Sequence, residues 1–463
     1  MSTYRMVGPI KRVGIVSLFI LTACSAHVGD SPGGPDSGSE GTDAGVSGPD
    51  GGTSATGFTR YPSDVIRSPI TPSVTDALTK IYARSATPND GVFMKVGASG
   101  TVSNYFLDCF TTGPVDLDGR SEMQSIIDYY NTALAAGDSS WERTTLAAKI
   151  GRSATWAISG DPSPLDQEIA AINPRVALVN YGTNDMSLGI TYETALWPFV
   201  SNFTALLDQL QSAGIIPIIT GLNPRGDDAN AARWVPTYNA ITRAIAEARQ
   251  LPYINLYLAS VDLVDMGLVG DGLHGNAFNG GACVFTADGL QFNYNIRNMV
   301  TAQTLSTVKD VVLDDNPAPD TPGAGFAGAG APDDAFVVDR LPFTHSASTA
   351  TSPSSRIDGY PACDTGQNES GPEYYYRLEL TQTTPLRILV LDGDGVDVDI
   401  HLLAGGANAS DCIARHNRII ERTLEAGTYY IAVDSYVNAN GDVQSGDYSL
   451  VVVECEPGDT RCQ

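Results

Sequence analysis

Four short stretches of this sequence hold residues that could act together on a carbonyl carbon. They are Gly97-Ala98-Ser99-Gly100-Thr101, Ser159-Gly160-Asp161, Gly182-Thr183-Asn184-Asp185 and Asp271-Gly272-Leu273-His274. A serine hydroxyl is a competent nucleophile only when a base takes its proton, and the base works best when a carboxylate orients it. His274 is the single histidine between residues 59 and 313, and Asp271 precedes it by three positions. The anionic tetrahedral intermediate needs hydrogen-bond donors, which the backbone N–H of Gly160 and the side-chain amide of Asn184 could supply. Each stretch alone has an ordinary explanation as a helix cap, a strand end or a turn. Only their combination points to acyl transfer. The cysteines and histidines show no zinc spacing, so no metal site is expected, and a serine triad requires no cofactor.

These stretches must be brought together by the elements that precede them. Val92–Val96, Trp156–Ile158, Val176–Tyr181, Ile215–Thr220 and Tyr253–Leu258 are apolar runs of strand length. Between them, Leu165–Ile172, Tyr192–Ala213 and Val235–Gln250 read as helices, and a last helix is expected from about Leu290 to Val312. Apolar strands alternating with amphipathic helices predict a parallel sheet covered on both faces. In such sheets chemistry sits at the carboxyl ends of the strands, where the four stretches fall.

The order Ser, Gly, Asn, Asp-x-x-His resembles the SGNH (GDSL-type) hydrolases. Their four blocks are matched by MKVGASGTVS, WAISGDPS, LVNYGTNDM and GDGLHGN, within residues 90–310. The resemblance implies a flavodoxin-like three-layer α/β/α sandwich and metal-independent hydrolysis of esters or thioesters. By position it implies Ser99 as nucleophile, His274 as general base and Asp271 as the carboxylate that orients it. The N–H groups of Ser99 and Gly160 and the amide of Asn184 would form the oxyanion hole. Two departures stand out. Ala98 replaces the Asp of the usual Gly-Asp-Ser, a residue outside the triad. GNAFNGGACVFTA intervenes after His274, and Asp288-Gly289-Leu290-Gln291 then repeats the pattern without an imidazole. We read the second copy as the start of the last helix. The alternative, with Asp288 and Gln291 in the family position, is a non-catalytic surface binding lipoprotein with a degenerate SGNH fold.

Residues 314–335 form a Pro/Gly/Ala linker, so the hydrolase-like body spans 59–313. Beyond it, 374–380, 386–391, 396–403, 427–433 and 448–453 have strand composition with turn residues between them, as in an antiparallel sandwich. VDVDIHLL, LEAGTYYIAVDSY and GDYSLVV resemble the bacterial pre-peptidase C-terminal domain. That resemblance implies an all-β, jelly-roll-like accessory module over 336–463, ending in a Cys-containing tail. The Asp residues at 392, 394, 397 and 399 lack the ligand pattern of a calcium loop. Tyr374, Tyr376, Tyr429 and Tyr436 read as core or cross-strand residues before a glycan-stacking face.

The first 23 residues read as a signal peptide, with Arg5, Lys11 and Arg12 before the apolar run Val13–Ala23. Leu21-Thr22-Ala23-Cys24 resembles a bacterial lipobox, which implies lipidation of Cys24. Residues 24–58 then form a Gly/Ser/Asp-rich tether. With Cys24 lipidated, six cysteines remain in an oxidising compartment and suggest disulfides. Cys109 and Cys283 are the only pair in the first body, and a bridge would pin the loop carrying His274 to the helix expected after Ser99. The net charge of −26 argues against nucleic acid as a partner. The expected protein is therefore an exported lipoprotein of the bacterial cell envelope, on the outer membrane. It would be membrane-bound through its lipid and would act on an ester substrate, either a small molecule or an acylated polysaccharide or lipid.

Overall fold

The computed structural model describes residues 57–363 and 366–462. The signal peptide, Cys24 and nearly all of the tether lie outside the described residues.

Four parallel strands form the central sheet of the first part, in the order β1 (Asn89–Gly97), β2 (Pro174–Asn180), β3 (Ile216–Thr220), β4 (Tyr253–Ile254). Their residues are almost continuously buried, as a sheet covered on both faces requires. The helices are α1 (Pro72–Tyr82), α2 (Ser99–Val102), α3 (Cys109–Thr112), α4 (Met123–Thr132), α5 (Ala154–Ile158), α6 (Pro164–Ile172), α7 (Tyr192–Ser212), α8 (Ala229–Ala248), α9 (Leu256–Ser260) and α10 (Asn293–Val312). Parallel strands alternating with helices give this part an α/β fold. Capping boxes start α6 at Ser163 and α7 at Thr191, each satisfying backbone N–H groups that the helix leaves unbonded.

Three expectations are corrected. Trp156–Ile158 is the end of α5, not a strand. A three-residue apolar run does not distinguish the two, and the helix wins because Ala154 and Ala157 pack into the core on one face. The backbone beside the free edge of β1 is instead Ala147–Lys149, with Ala148 bridged in parallel to Gly97. The run from Tyr253 ends as a strand at Ile254, and Leu256–Ser260 turns helical under an Asn255 cap. The helix expected after Ser99 is broken into two single turns, α2 and α3. Leu107, at φ 72°, lies between them.

The C-terminal part is β-rich. Its strands are β5 (Phe336–Val338), β6 (Phe343–Ser348), β7 (Glu373–Leu380), β8 (Thr384–Asp392), β9 (Val398–Ala404), β10 (Cys412–His416), β11 (Ile419–Leu424), β12 (Gly427–Ser435) and β13 (Asp447–Glu454). One sheet runs β6-β13-β8-β11 and the other β10-β9-β12-β7-β5, antiparallel throughout except for β5 against β7. Leu386, Ile388, Val390, Ile400, Leu402, Val433 and Val452 fill the space between them. Tyr374 and Tyr376 are buried in that core.

The two parts share a core. Leu389, Leu391, Val451 and Val453 of the β-rich part cluster with the apolar residues of the α/β part. Arg387 is fully buried at this junction. It donates to Thr237 Oγ1 (2.8 Å) and Asp459 (2.7 Å), pairs with Glu421, and stacks 3.6 Å over Trp234. The Pro/Gly/Ala-rich segment 314–335 is also docked, with Asp320 and Ile70 exchanging two hydrogen bonds.

Candidate active site

β1 delivers Ser99 to the carboxyl edge of the sheet. A Cβ on Gly97 would stand 2.3 Å from Thr101 Oγ1 and 2.7 Å from the Asn180 carbonyl, so only glycine lets the chain turn there. Ala98 precedes the turn, and Ser99 opens α2. The Ala98 carbonyl accepts from the N–H groups of Thr101 (3.0 Å) and Val102 (3.1 Å), which closes the turn.

His274 arrives on the loop after α9. Gly272, at φ 68°, packs its backbone against Gly226, whose N–H donates to the Gly272 carbonyl at 2.7 Å. His274 Nδ1 lies 2.7 Å from Asp271 Oδ2, and Nε2 lies 2.9 Å from Ser99 Oγ. A carboxylate can only accept, which places the imidazole proton on Nδ1 and leaves Nε2 to accept from the serine hydroxyl. Asp271 Oδ1 accepts from the N–H groups of His274 (3.0 Å) and Leu273 (2.9 Å). The His274 backbone N–H, then its ring, then the Leu273 N–H hold the Asp271 carboxyl down at about 2.

Ser99, Gly100, Asn180, Thr183, Asn223 and His274 line an open cleft. Neither Gly160 nor Asn184 lines it. Gly160 is exposed beyond the far end of α5, because the segment before it is helix and not strand. The turn that leaves the sheet edge beside β1 is 150–153, where Gly151 takes φ 72°. Asn184 belongs to this turn, since its amide donates to the Arg152 carbonyl at 2.9 Å. The adjacent Asp185 ties the same turn to β2, accepting from Ala154 N–H (2.9 Å) and Gly182 N–H (3.0 Å). Burial pushes the Asp185 carboxyl up to about 6 against the opposing pull of those N–H groups.

Gln291 does not line the cleft. Its amide donates to the Ala287 carbonyl, and Gly289–Gln291 is a 3-10 turn leading into α10. The insertion between His274 and that turn is folded down. Cys283 is bonded to Cys109, and Cys283–Val284 pairs in parallel with Val115–Asp116.

Sequence reasoning passed over the buried polar face of α10. Asn293, Asn295, Arg297 and Asn298 are all at most 1% exposed. Asn293 bonds Asn223 and Ser260, Asn295 bonds the Gly281 and Val284 carbonyls, and Asn298 bonds the Tyr105 and Ala282 carbonyls. Arg297 donates to the Gly100 carbonyl at 2.9 Å and to Asn180 Oδ1 at 3.2 Å. The sequence signal was present in N-Y-N-I-R-N, but a polar run at a helix start usually faces solvent.

Residues 72–278 match the model of the GDSL-like Lipase/Acylhydrolase family. Over this part the chain is an ester hydrolase of the SGNH/GDSL type. A GDSL-like lipase from Bacteroides thetaiotaomicron aligns with 50% of this chain and 96% of its own, at 15% identity and a TM-score of 0.31. A catalytic mutant of an acetylxylan esterase from Geobacillus stearothermophilus aligns with 47% of this chain and 96% of its own, at 12% identity and a TM-score of 0.32. The pre-peptidase C-terminal domain of a collagenase from Bacillus anthracis aligns with 24% of this chain and 89% of its own, at 20% identity and a TM-score of 0.16. No curated protein matches the chain.

Proposed function

We propose that the protein is an envelope-anchored serine esterase that cleaves carboxylic esters through an acyl-enzyme. The observation that carries this reading is the continuous chain Ser99 Oγ, His274 Nε2, His274 Nδ1, Asp271 Oδ2, with contacts of 2.9 and 2.7 Å. In this reading His274 Nε2 takes the hydroxyl proton as Ser99 Oγ bonds to the ester carbon. The carbonyl π pair moves onto oxygen. When the intermediate collapses, the bond to the alcohol oxygen breaks and His274 returns the proton to it. Water then attacks the acyl-enzyme, giving its proton to His274, and the acid leaves as Ser99 recovers its proton. The donor for the oxyanion in this reading is the Ser99 N–H. Gly160 and Asn184 are not retained in that role, because both lie outside the cleft and the Asn184 amide donates to the Arg152 carbonyl.

The substrate in this reading is an acylated polysaccharide or a lipid ester, reached from a membrane anchor at Cys24. The lipobox-like LTAC supports the anchor and the outer membrane as its place. Hydrolysis of p-nitrophenyl acetate by the purified protein tests the activity. Ser99→Ala is expected to remove nearly all turnover with an unchanged circular dichroism spectrum, and wild-type turnover in that variant would refute the nucleophile. Cys24→Ser is expected to shift the protein out of the detergent phase, and unchanged partitioning would refute the anchor.

A further inference from the structure

Arg297 is a buried cation without a counter-anion. Its side chain is 1% exposed, and among the described residues it forms no ion pair. Of the other deeply buried arginines, Arg175 pairs with Asp90, Arg249 with Asp208, and Arg387 with Glu421 and Asp459, while Arg243 donates to the Pro342 carbonyl and feels the charge of Glu247. Arg297 instead lies 3.9 Å over the ring of Phe106, and its Nε has no hydrogen-bond partner. Its two terminal nitrogens reach backward into the wall of the cleft. One donates to the carbonyl of Gly100, the residue after Ser99, and the other to Asn180, which also lines the cleft. Burying a guanidinium without a carboxylate partner is costly. The cost is physically reasonable where negative charge appears nearby during the reaction, because a preorganised charge in a site of low dielectric needs no reorganisation to meet it.

We propose that Arg297 is a positioning residue for this reaction: it clamps the Ser99 turn to the end of β2 and holds a fixed positive charge behind the carbonyl oxygen as that oxygen becomes anionic. The proposal rests on the reading of Ser99 as the nucleophile. Burial also lowers the Arg297 guanidinium to about 10, far enough above neutrality to keep it charged. Tyr294 shares the Gly100 carbonyl, donating to it at 3.3 Å.

The test compares Arg297→Gln with Arg297→Lys, using the full chain and p-nitrophenyl acetate. Removing a direct oxyanion donor costs about 100- to 1,000-fold in kcat, so an indirect charge is expected to cost about 10- to 100-fold. Arg297→Gln should show that loss in kcat with KM within about threefold, since the charge acts on the transition state and not on bound ester. Affinity for an alkylboronic acid, which forms a tetrahedral anion on the serine, should fall in parallel. Arg297→Lys should recover about tenfold of the loss by restoring the cation. A loss confined to KM, a lysine variant as impaired as glutamine, or unchanged boronate affinity would overturn the proposal. If Arg297→Gln does not fold, the lysine variant carries the comparison through its kcat and boronate affinity against the wild type. Unchanged kcat in both variants of an active enzyme would sink the proposal alone. A wild-type chain inert toward esters, and unaffected by Ser99→Ala, would sink the reading beneath it and the proposal together.

Discussion

At the scale of single residues, the half-exposed Asp271 does its work through three hydrogen bonds. Two come from the backbone of its own turn, so the carboxylate is oriented before His274 leans on it. Asp271→Asn keeps the shape but can no longer hold the Nδ1 proton by charge. Because solvent reaches the pair, the expected loss in kcat is at least about tenfold and smaller than that of Ser99→Ala. Steady-state kinetics on the two variants checks the order. The sign of the pH effect follows from the depressed carboxyl. Asp271 contributes stability above its ordinary value of 3.8, and that contribution is lost as pH falls through about 2. Acid melts of wild type and Asp271→Asn should therefore converge near pH 2 and separate above pH 4.

At the scale of elements, α10 organises the site. Its first turns carry Asn295 and Asn298, whose amides replace the missing hydrogen bonds of irregular backbone. Asn298 alone serves Leu107 N–H at 3.1 Å and the Tyr105 and Ala282 carbonyls. Asn298→Ala leaves three buried backbone groups unpaired, and the expected cost is about 3 kcal/mol, measurable by urea unfolding. The same region holds the Cys109–Cys283 bridge, which closes a separation of 174 residues. The chain-entropy model places the loss on Cys109→Ser/Cys283→Ser at roughly 5 kcal/mol or less. The loop bearing His274 ends in this insertion, so activity should fall with temperature earlier in the double variant than in the wild type. Asp185 is a comparable clamp on the other side. Asp185→Ala frees the N–H groups of Ala154 and Gly182 and should lower kcat by loosening the turn at 150–153.

At the scale of the whole molecule, the β-rich part is a wall of the hydrolase core. α8 packs on β6 and β13, and Trp234, Val235, Tyr238 and Ile241 on it are buried. A chain ending at residue 313 would expose the side of α8 that meets these strands and is expected to be insoluble, which a solubility assay against the full chain decides. Glu247 sits at this junction, accepting from Tyr61 N–H at 2.7 Å and from Thr344. Complete burial pushes its carboxyl up to about 7 from 4.5. The folded protein thus holds this proton to a higher pH than the unfolded chain does. Stability from this group is full below about pH 4.5 and falls as pH rises to about 7. Glu247→Gln should flatten that part of the melting-temperature profile, and an unaltered slope would show that other groups set it.

Much of the chemistry is local in the chain, and there the sequence was decisive. Asp271 and His274 are three residues apart in one turn, so their pairing needs little beyond that turn. Ser99 follows a strand whose burial is written in its apolar run. The alternation of strand and helix follows from periodicity, which short-range packing enforces. Tertiary structure decided what short patterns leave degenerate. Ala154–Ile158 became helix because its alanines meet the core, and this moved the turn at the sheet edge from Gly160 to Gly151. The polar start of α10 went inward because the insertion and the loop after α2 needed its amides. A composition of Pro, Gly and Ala suggested a separating linker, yet 314–335 lies between parts that share one core. Hydrogen bonds between residues nearly 200 positions apart made those choices, and no local pattern records which partner a buried polar group will find.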